Sequence, residues 1–226
     1  MTASGAAAFF DLDRTLLRCN SARLWFRWER SKGRLKLRHA VEAAIWGSLY
    51  KVGLMRAQTA LGRAVATIAG ESETELAEKT REFFQEEIEA HIAPAGLEAL
   101  ERHRAAGDAI VLLTSASPYL CACLEDRIAV DGVLCTRYQV EDDRFTGRLQ
   151  LPICYGKGKV VHAERWAADH GVDLDRSTFY TDSVTDLPML ERVGTPMVVQ
   201  PDVRLGRIAK KRGWTVLDWG VESADD

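Results

Sequence analysis

Apolar and polar positions follow two different rhythms along the chain. Residues 6–12, AAAFFDL, are a continuous apolar run that ends at polar residues, which predicts a strand buried on both faces. From about residue 17 to residue 92 the spacing is helical. Leu24, Trp25 and Trp28 recur on one helical face, Gly53 breaks a long apolar segment, and SETE (72–75) forms a capping box that opens an acidic helix. Trp25, Phe26 and Trp28 read as core of this helical stretch.

After Pro94 helices and strands alternate. GLEALERHRAAG (96–107) is an amphipathic helix closed by Gly107, AIVLLTS (109–115) is a strand, and Ser117-Pro118 supplies an N-cap with proline at the first helical position. DGVLCTRY (131–138) is a third strand, and QVEDDRFTGRLQL (139–151) reads as a hairpin turning near Asp143 and Gly147. A helix at 158–171, a strand at 177–182, a short helix at 185–194, a strand at 195–201, a helix at 202–213 and a strand at 214–219 complete the chain. The alternation implies an α/β fold, with a Rossmann-like, mainly parallel sheet covered by helices on both faces. Residues 17–94 are then an all-helical insertion after the first strand, between core segments 1–16 and 95–226.

Composition agrees with a globular domain and disfavours disorder: 46% of the 226 residues are hydrophobic and 28% charged. A formal net charge of −3 provides no basic field for nucleic acid. The charge is uneven, however. Arg18 to Arg63 holds eleven Lys and Arg against Glu29 and Glu42, and Glu71 to Glu89 holds eight Glu against Lys79 and Arg81. This predicts basic helices packed beside an acidic one; the sharper alternative is a basic face toward an anionic substrate or membrane surface. Residues 40–55 are too short and too charged a stretch to span a bilayer, so membrane association is not favoured. Cysteines at 19, 121, 123, 135 and 154 show no C-x-x-C pair, which predicts free thiols in a reducing, cytoplasmic setting.

Four polar groupings fall at strand ends or helix starts: Asp11/Asp13, Thr114/Ser115, Lys157/Lys159 and Asp182/Asp186. In open α/β sheets that edge is where ligands bind. Carboxylates from Asp11, Asp13 and Asp182 gathered there would repel one another unless a cation were present, and hard oxygen donors suit Mg²⁺. With such a set Asp11 could attack phosphorus, Asp13 could move the proton of the leaving alcohol, and Ser115 and Lys159 could hold the phosphoryl oxygens.

FFDLDRTLL (9–17), LLTSAS (112–117), Lys159 in GKGKVV and YTDSVTDLPML (180–190) resemble, in order, the four motifs of the haloacid dehalogenase superfamily of phosphohydrolases. The insertion after the first motif resembles the cap of the phosphoserine-phosphatase-like subfamily, IB. The resemblance implies Asp11 as nucleophile and metal ligand, and Asp13 as acid/base with its backbone carbonyl on the metal. It further implies Ser115 and Lys159 as phosphate binders, Asp182 as metal ligand and Asp186 as support. Ser115 is preferred over Thr114 because the apolar run reaches Leu113 and the S-A-S-P step resembles the subfamily's turn, and Lys159 is preferred over Lys157 by a spacing to Gly171 like that of the relatives. The second aspartate, absent from dehalogenases, points to a phosphatase. Arg14, Thr185 and Asn20 depart from the phosphoserine-phosphatase pattern, and Asn20 and Arg56 are candidate substrate contacts. The expectation is a Mg²⁺-dependent hydrolase of a small phosphomonoester. Its rivals are a phosphoserine phosphatase, a peripheral-membrane enzyme acting on a phospholipid intermediate, and a catalytically silent module.

Overall fold

The computed structural model describes residues 5–34 and 57–220. Gly53, Arg56, the apolar stretch 40–55 and much of the basic segment lie outside the described residues. Six parallel strands make one sheet in the order β3-β2-β1-β6-β7-β8. They are β1 (Ala7–Phe10), β2 (Ala109–Leu113), β3 (Gly132–Leu134), β6 (Thr178–Thr181), β7 (Thr195–Val199) and β8 (Thr215–Leu217). A two-stranded antiparallel hairpin, β4 (Tyr138–Glu141) and β5 (Arg144–Leu149), stands apart from it.

The central strands are buried along their length and mostly apolar because both faces are covered. Phe9, Val111 and Phe179 point to one side, where α6 (Lys157–His170) and α8 (Val203–Arg212) bring Ala163, Trp166, Leu205 and Ala209. Phe10, Leu112 and Tyr180 point to the other, where α4 (Pro94–Ala106) and α5 (Pro118–Glu125) bring Ala99, Leu100, Leu120 and Leu124. The order reverses at β1, which pairs with β2 on one side and with β6 on the other. That reversal opens a crevice at the carboxyl ends of β1 and β6.

In the insertion the described elements are α1 (Ser21–Ser31), α2 (Ala57–Ala66) and α3 (Glu73–Phe83), the last running on through a π-turn at Phe84–Ile88 and a 3₁₀ turn at Glu89–His91. Trp25, Trp28 and Phe83 pack ring to ring at 5.0 to 5.4 Å. Phe26 does not join them: it lies on the outer face of α1, 41% exposed, because the 100° step per residue turns it away from Leu24 and Trp28. The expected pairing of basic and acidic helices is present as Lys32 with Glu82 and Glu86, Arg34 with Glu82, and Lys79 with Glu29. The two ends of the insertion leave the core side by side. The Arg18 amide donates to the His91 carbonyl at 2.8 Å, and the Ala93 amide to the Leu16 carbonyl at 2.8 Å.

Some boundaries differ from the sequence expectation. The hairpin turns at Asp142 and Asp143, both at positive φ (47° and 59°), whereas Gly147 lies inside β5. Asp tolerates the left-handed region that a two-residue hairpin demands, so no glycine is needed at the turn. The third strand ends at Leu134, and Tyr138 belongs to the hairpin instead. The short helix divides into a 3₁₀ turn at Val184–Asp186 and α7 (Leu187–Leu190). Ser72 caps α3 as expected, accepting from the Glu75 amide at 3.2 Å, and its hydroxyl also donates to Asp143 Oδ2 at 2.7 Å.

Candidate active site

Strand register fixes the first half of the site. Phe10 lies opposite Tyr180, and the Asp11 amide donates to the Tyr180 carbonyl at 2.9 Å. Asp11 and Asp182 therefore leave neighbouring strands within one residue of each other, at strands spaced about 4.8 Å apart. Both residues are 8% exposed. The chain then folds back: the Leu12 amide donates to Asp11 Oδ1 at 2.8 Å, and Asp13 Oδ1 accepts the Ser21 amide at 2.8 Å, at the start of α1.

Lys159 closes the second half. It stands in the first turn of α6, 2% exposed, with its Nζ 3.0 Å from Asp11 Oδ1 and 2.7 Å from Asp186 Oδ2. Lys157, its rival in the sequence, is exposed. Gly158 permits this placement, since a Cβ there would lie 1.9 Å from the Ile153 carbonyl oxygen. Asp186 Oδ2 also accepts the Thr181 hydroxyl at 2.8 Å.

At the end of β2, Thr114 is buried and its Oγ1 accepts the Ala116 amide at 3.2 Å. Ser115 is half-buried beyond it, and Ser117 caps α5. Asn20 lies at the N-cap of α1, where its side-chain oxygen accepts from the Arg23 amide at 3.0 Å. Two residues were not singled out in the sequence. Thr181 was hidden inside the strand run STFYT. Asp202 was readable only as a helix cap, which it is for α8; its Oδ2 also accepts the Val184 amide at 2.7 Å, and its own amide donates to the Asp182 carbonyl at 2.9 Å. It thereby braces the loop that carries Asp182 and Asp186.

Electrostatics follow from burial. The Asp182 carboxyl is pushed up to about 8, first by desolvation and then by the charge of Asp11. Asp13 rises to about 6 because it is buried, with the Ser21 hydrogen bonds pulling the other way. Asp186 also rises to about 6 through burial, offset by Lys159. Burial works against the Lys159 ammonium, but the charges of Asp11 and Asp186 outweigh it and hold the group above its ordinary value.

Among the described residues the carboxylates thus outnumber the cations that act on them, Lys159 and Arg14, and the excess falls on Asp182. A divalent cation would relieve it. Among the described residues no three His, Cys, Asp or Glu side chains form a metal cage by themselves. The donor set fits Mg²⁺ nonetheless, because that ion takes one or two carboxylates and fills its remaining positions with water, main-chain oxygens and phosphate.

The family model described as haloacid dehalogenase-like hydrolase matches residues 8–191. A phosphoserine phosphatase of Mycobacterium tuberculosis is 36% identical over 226 residues, covering 96% of this chain and 71% of that protein. A histidinol-phosphatase of Neisseria meningitidis serogroup C is 31% identical over 220 residues, covering 94% of this chain and 98% of that protein. Among solved structures, a Bordetella pertussis protein of unknown function superposes with a TM-score of 0.86 at 31% identity, covering 95% of this chain and 98% of the other. A phospho-aspartyl intermediate analogue of phosphoserine phosphatase superposes at 0.66 with 15% identity, over 97% of this chain and 95% of that one, a likeness of fold. With a family model spanning most of its length and a relative 36% identical over 96% of it, the chain belongs to the haloacid dehalogenase-like hydrolases.

Proposed function

We propose that the crevice hydrolyses a small phosphate monoester through an aspartyl-phosphate. The enzyme is a phosphatase. The observation that carries the reading is the buried Lys159 ammonium bridging Asp11 and Asp186, beside Asp182 on the adjacent strand end. An Asp11 oxygen attacks phosphorus in line, and the bond from phosphorus to the ester oxygen breaks. Asp13, whose carboxyl is poised at about 6, gives its proton to the departing alkoxide. Asp13 then takes a proton from water as that water attacks phosphorus, the bond to Asp11 breaks, and inorganic phosphate leaves with Asp11 restored. Lys159 and Ser115 hold the equatorial oxygens, where negative charge collects. Asp11, Asp182 and the Asp13 main-chain carbonyl would hold Mg²⁺, which would supply further positive charge toward those oxygens.

The two phosphatase relatives are named for esters of small amine-bearing alcohols, which supports a small-metabolite substrate. Asn20 offers no carboxylate to an ammonium group, and its oxygen is engaged at the α1 cap. Phosphoserine is therefore one member of the test panel and not the premise. The test is phosphate release from a panel that includes phosphoserine, histidinol phosphate, sugar phosphates and glycerophosphates, with and without Mg²⁺. Asp11→Asn should lower kcat by at least about a thousandfold while leaving the thermal transition cooperative. An Asp11→Asn enzyme that keeps wild-type turnover would overturn the mechanism.

A further inference from the structure

Asp143 lies 71 residues from Ser72 in the chain, yet their side chains share a hydrogen bond of 2.7 Å. Its other carboxylate oxygen, Oδ1, accepts the Thr74 amide at 2.9 Å and the Thr74 hydroxyl at 2.8 Å. The Asp143 carbonyl accepts the Glu73 amide at 3.1 Å. The tip of the β4–β5 hairpin thus caps the first turn of α3 from outside, beside the helix's own cap residue. Main-chain bonds continue the contact along β5, where the Phe145 amide donates to the Glu71 carbonyl at 3.1 Å and the Gly70 amide to the Phe145 carbonyl at 2.8 Å. Gly147 lets the turn after α2 come close, since a Cβ there would stand 3.0 Å from Ala69 Cβ.

This corner of the insertion borders the crevice. Glu73 Oε1 accepts the Tyr119 hydroxyl at 2.9 Å, and Tyr119 stands in the first turn of α5, just beyond Ser115. The insertion therefore meets the reaction centre from two sides. One is the start of α1, where the Ser21 amide donates to Asp13; the other is the start of α3, beside the turn that carries Ser115. The paired chain ends at Arg18 and Ala93 hold the first, and the hairpin holds the second.

We propose that the hairpin is a clasp, fastening the start of α3 to the core so that this flank of the insertion closes over bound substrate, with Asp143 as the fastening residue. The closure rests on the phosphatase reading above; the fastening does not. On the core side the clasp is anchored, because Phe145 packs ring to ring with Tyr119 and Tyr138 at 5.9 and 6.0 Å. On the insertion side it can be undone. Asp143 and Thr74 are exposed, so water competes for their hydrogen bonds. A cavity of about 580 Å³, bordered by Glu73, Tyr119, Tyr138 and Val140, lies where side chains would otherwise join α3, α5 and β4 into one packed core. Exposed hydrogen bonds over a hollow give a segment that opens locally before the fold does.

The experiment compares hydrogen exchange and phosphate-release kinetics of the full chain with those of Asp143→Gly and Asp143→Asn. Glycine takes the positive φ of 59° without strain, so the change reports the lost carboxylate, and asparagine keeps one side-chain acceptor. In Asp143→Gly the Gly70, Glu73 and Phe145 amides, whose bonds cross the seam without touching the replaced side chain, should exchange at least about tenfold faster. The Arg18 and Ala93 amides should keep wild-type protection. KM for the best substrate of the panel should rise at least about fivefold with kcat within about twofold, and Asp143→Asn should recover part of the loss. Unchanged exchange at Gly70, Glu73 and Phe145, or an equal loss of protection at Arg18 and Ala93, would overturn the clasp. Faster exchange with an unaltered KM would overturn its part in closure. A wild-type chain that hydrolyses no member of the panel would instead overturn the phosphatase reading, and exchange alone would then decide the fastening.

Discussion

Replacing Lys159 by methionine isolates the contribution of one buried charge. At 3.0 Å from Asp11 and 2.7 Å from Asp186, each attraction amounts to about 5 to 6 kcal/mol at an effective dielectric of about 20. Burying the ammonium opposes this by several kcal/mol. Removing it leaves Asp11 and Asp186 facing each other, with Arg14 the remaining cation near Asp182, so the expected net loss is about 3 to 5 kcal/mol in metal-free protein. For a domain of this size that lowers Tm by about 2 to 4 °C per kcal/mol, or roughly 6 to 20 °C. Mg²⁺ should restore part of the loss, because it meets the same excess of negative charge. Turnover should not recover with it, since the phosphoryl oxygens have lost a donor worth about 10² to 10³ in kcat/KM. Thermal melts with and without Mg²⁺, run beside phosphate-release kinetics, separate the two effects. A variant with kcat/KM within threefold of wild type would refute the role given to Lys159, and an unchanged metal-free Tm would refute the electrostatic reasoning.

Asp182 gives a pH signature. Its folded value of about 8 lies above the unfolded value, so its contribution to metal-free stability is complete below about pH 4 and is lost as pH rises through 8. Stabilisation by Mg²⁺, read as the Tm shift at fixed metal concentration, should therefore grow between pH 6 and 8. Asp182→Asn should flatten that growth, and a shift independent of pH would count against the cation site. Gly158→Ala forces a Cβ against the Ile153 carbonyl at 1.9 Å, so Tm should fall with a cost of about 1 to 3 kcal/mol. Because Lys159 is the next residue, kcat/KM should drop along with Tm, and an unaltered kcat/KM would show that the turn does not position the lysine.

The sheet was legible in the sequence because its strands are buried on both faces: AAFF and AIVLL are continuous apolar runs, and TFYT is β-branched and aromatic throughout, with no competing helical period. Asp11, Thr114/Ser115 and Asp182 could be placed at one sheet edge because each follows a strand run, whereas Lys159 opens a helix. Choosing Lys159 over Lys157 rested on spacing alone, and only the packing of α6 shows the physical difference, one ammonium buried between two carboxylates and one in solvent. The brace from Asp202 could not be read, because it joins loops eighteen residues apart through a main-chain amide that has no side-chain signature. Of the two turn residues read from the sequence, Asp143 is in the hairpin turn, beside Asp142, whereas Gly147 takes its positive φ of 77° inside β5.

The rung formed by Leu16, Arg18, His91 and Ala93 acts as a seam. Everything between its two hydrogen bonds departs from and returns to one point, so the entropy of closing the excursion is met there and rises only slowly with its length. Lineages of this architecture could lengthen, shorten or exchange the intervening helices without displacing the carboxylates a few residues upstream. Grafting a foreign insert at Arg18 and His91 is accordingly a route to new selectivity on an unchanged reaction centre.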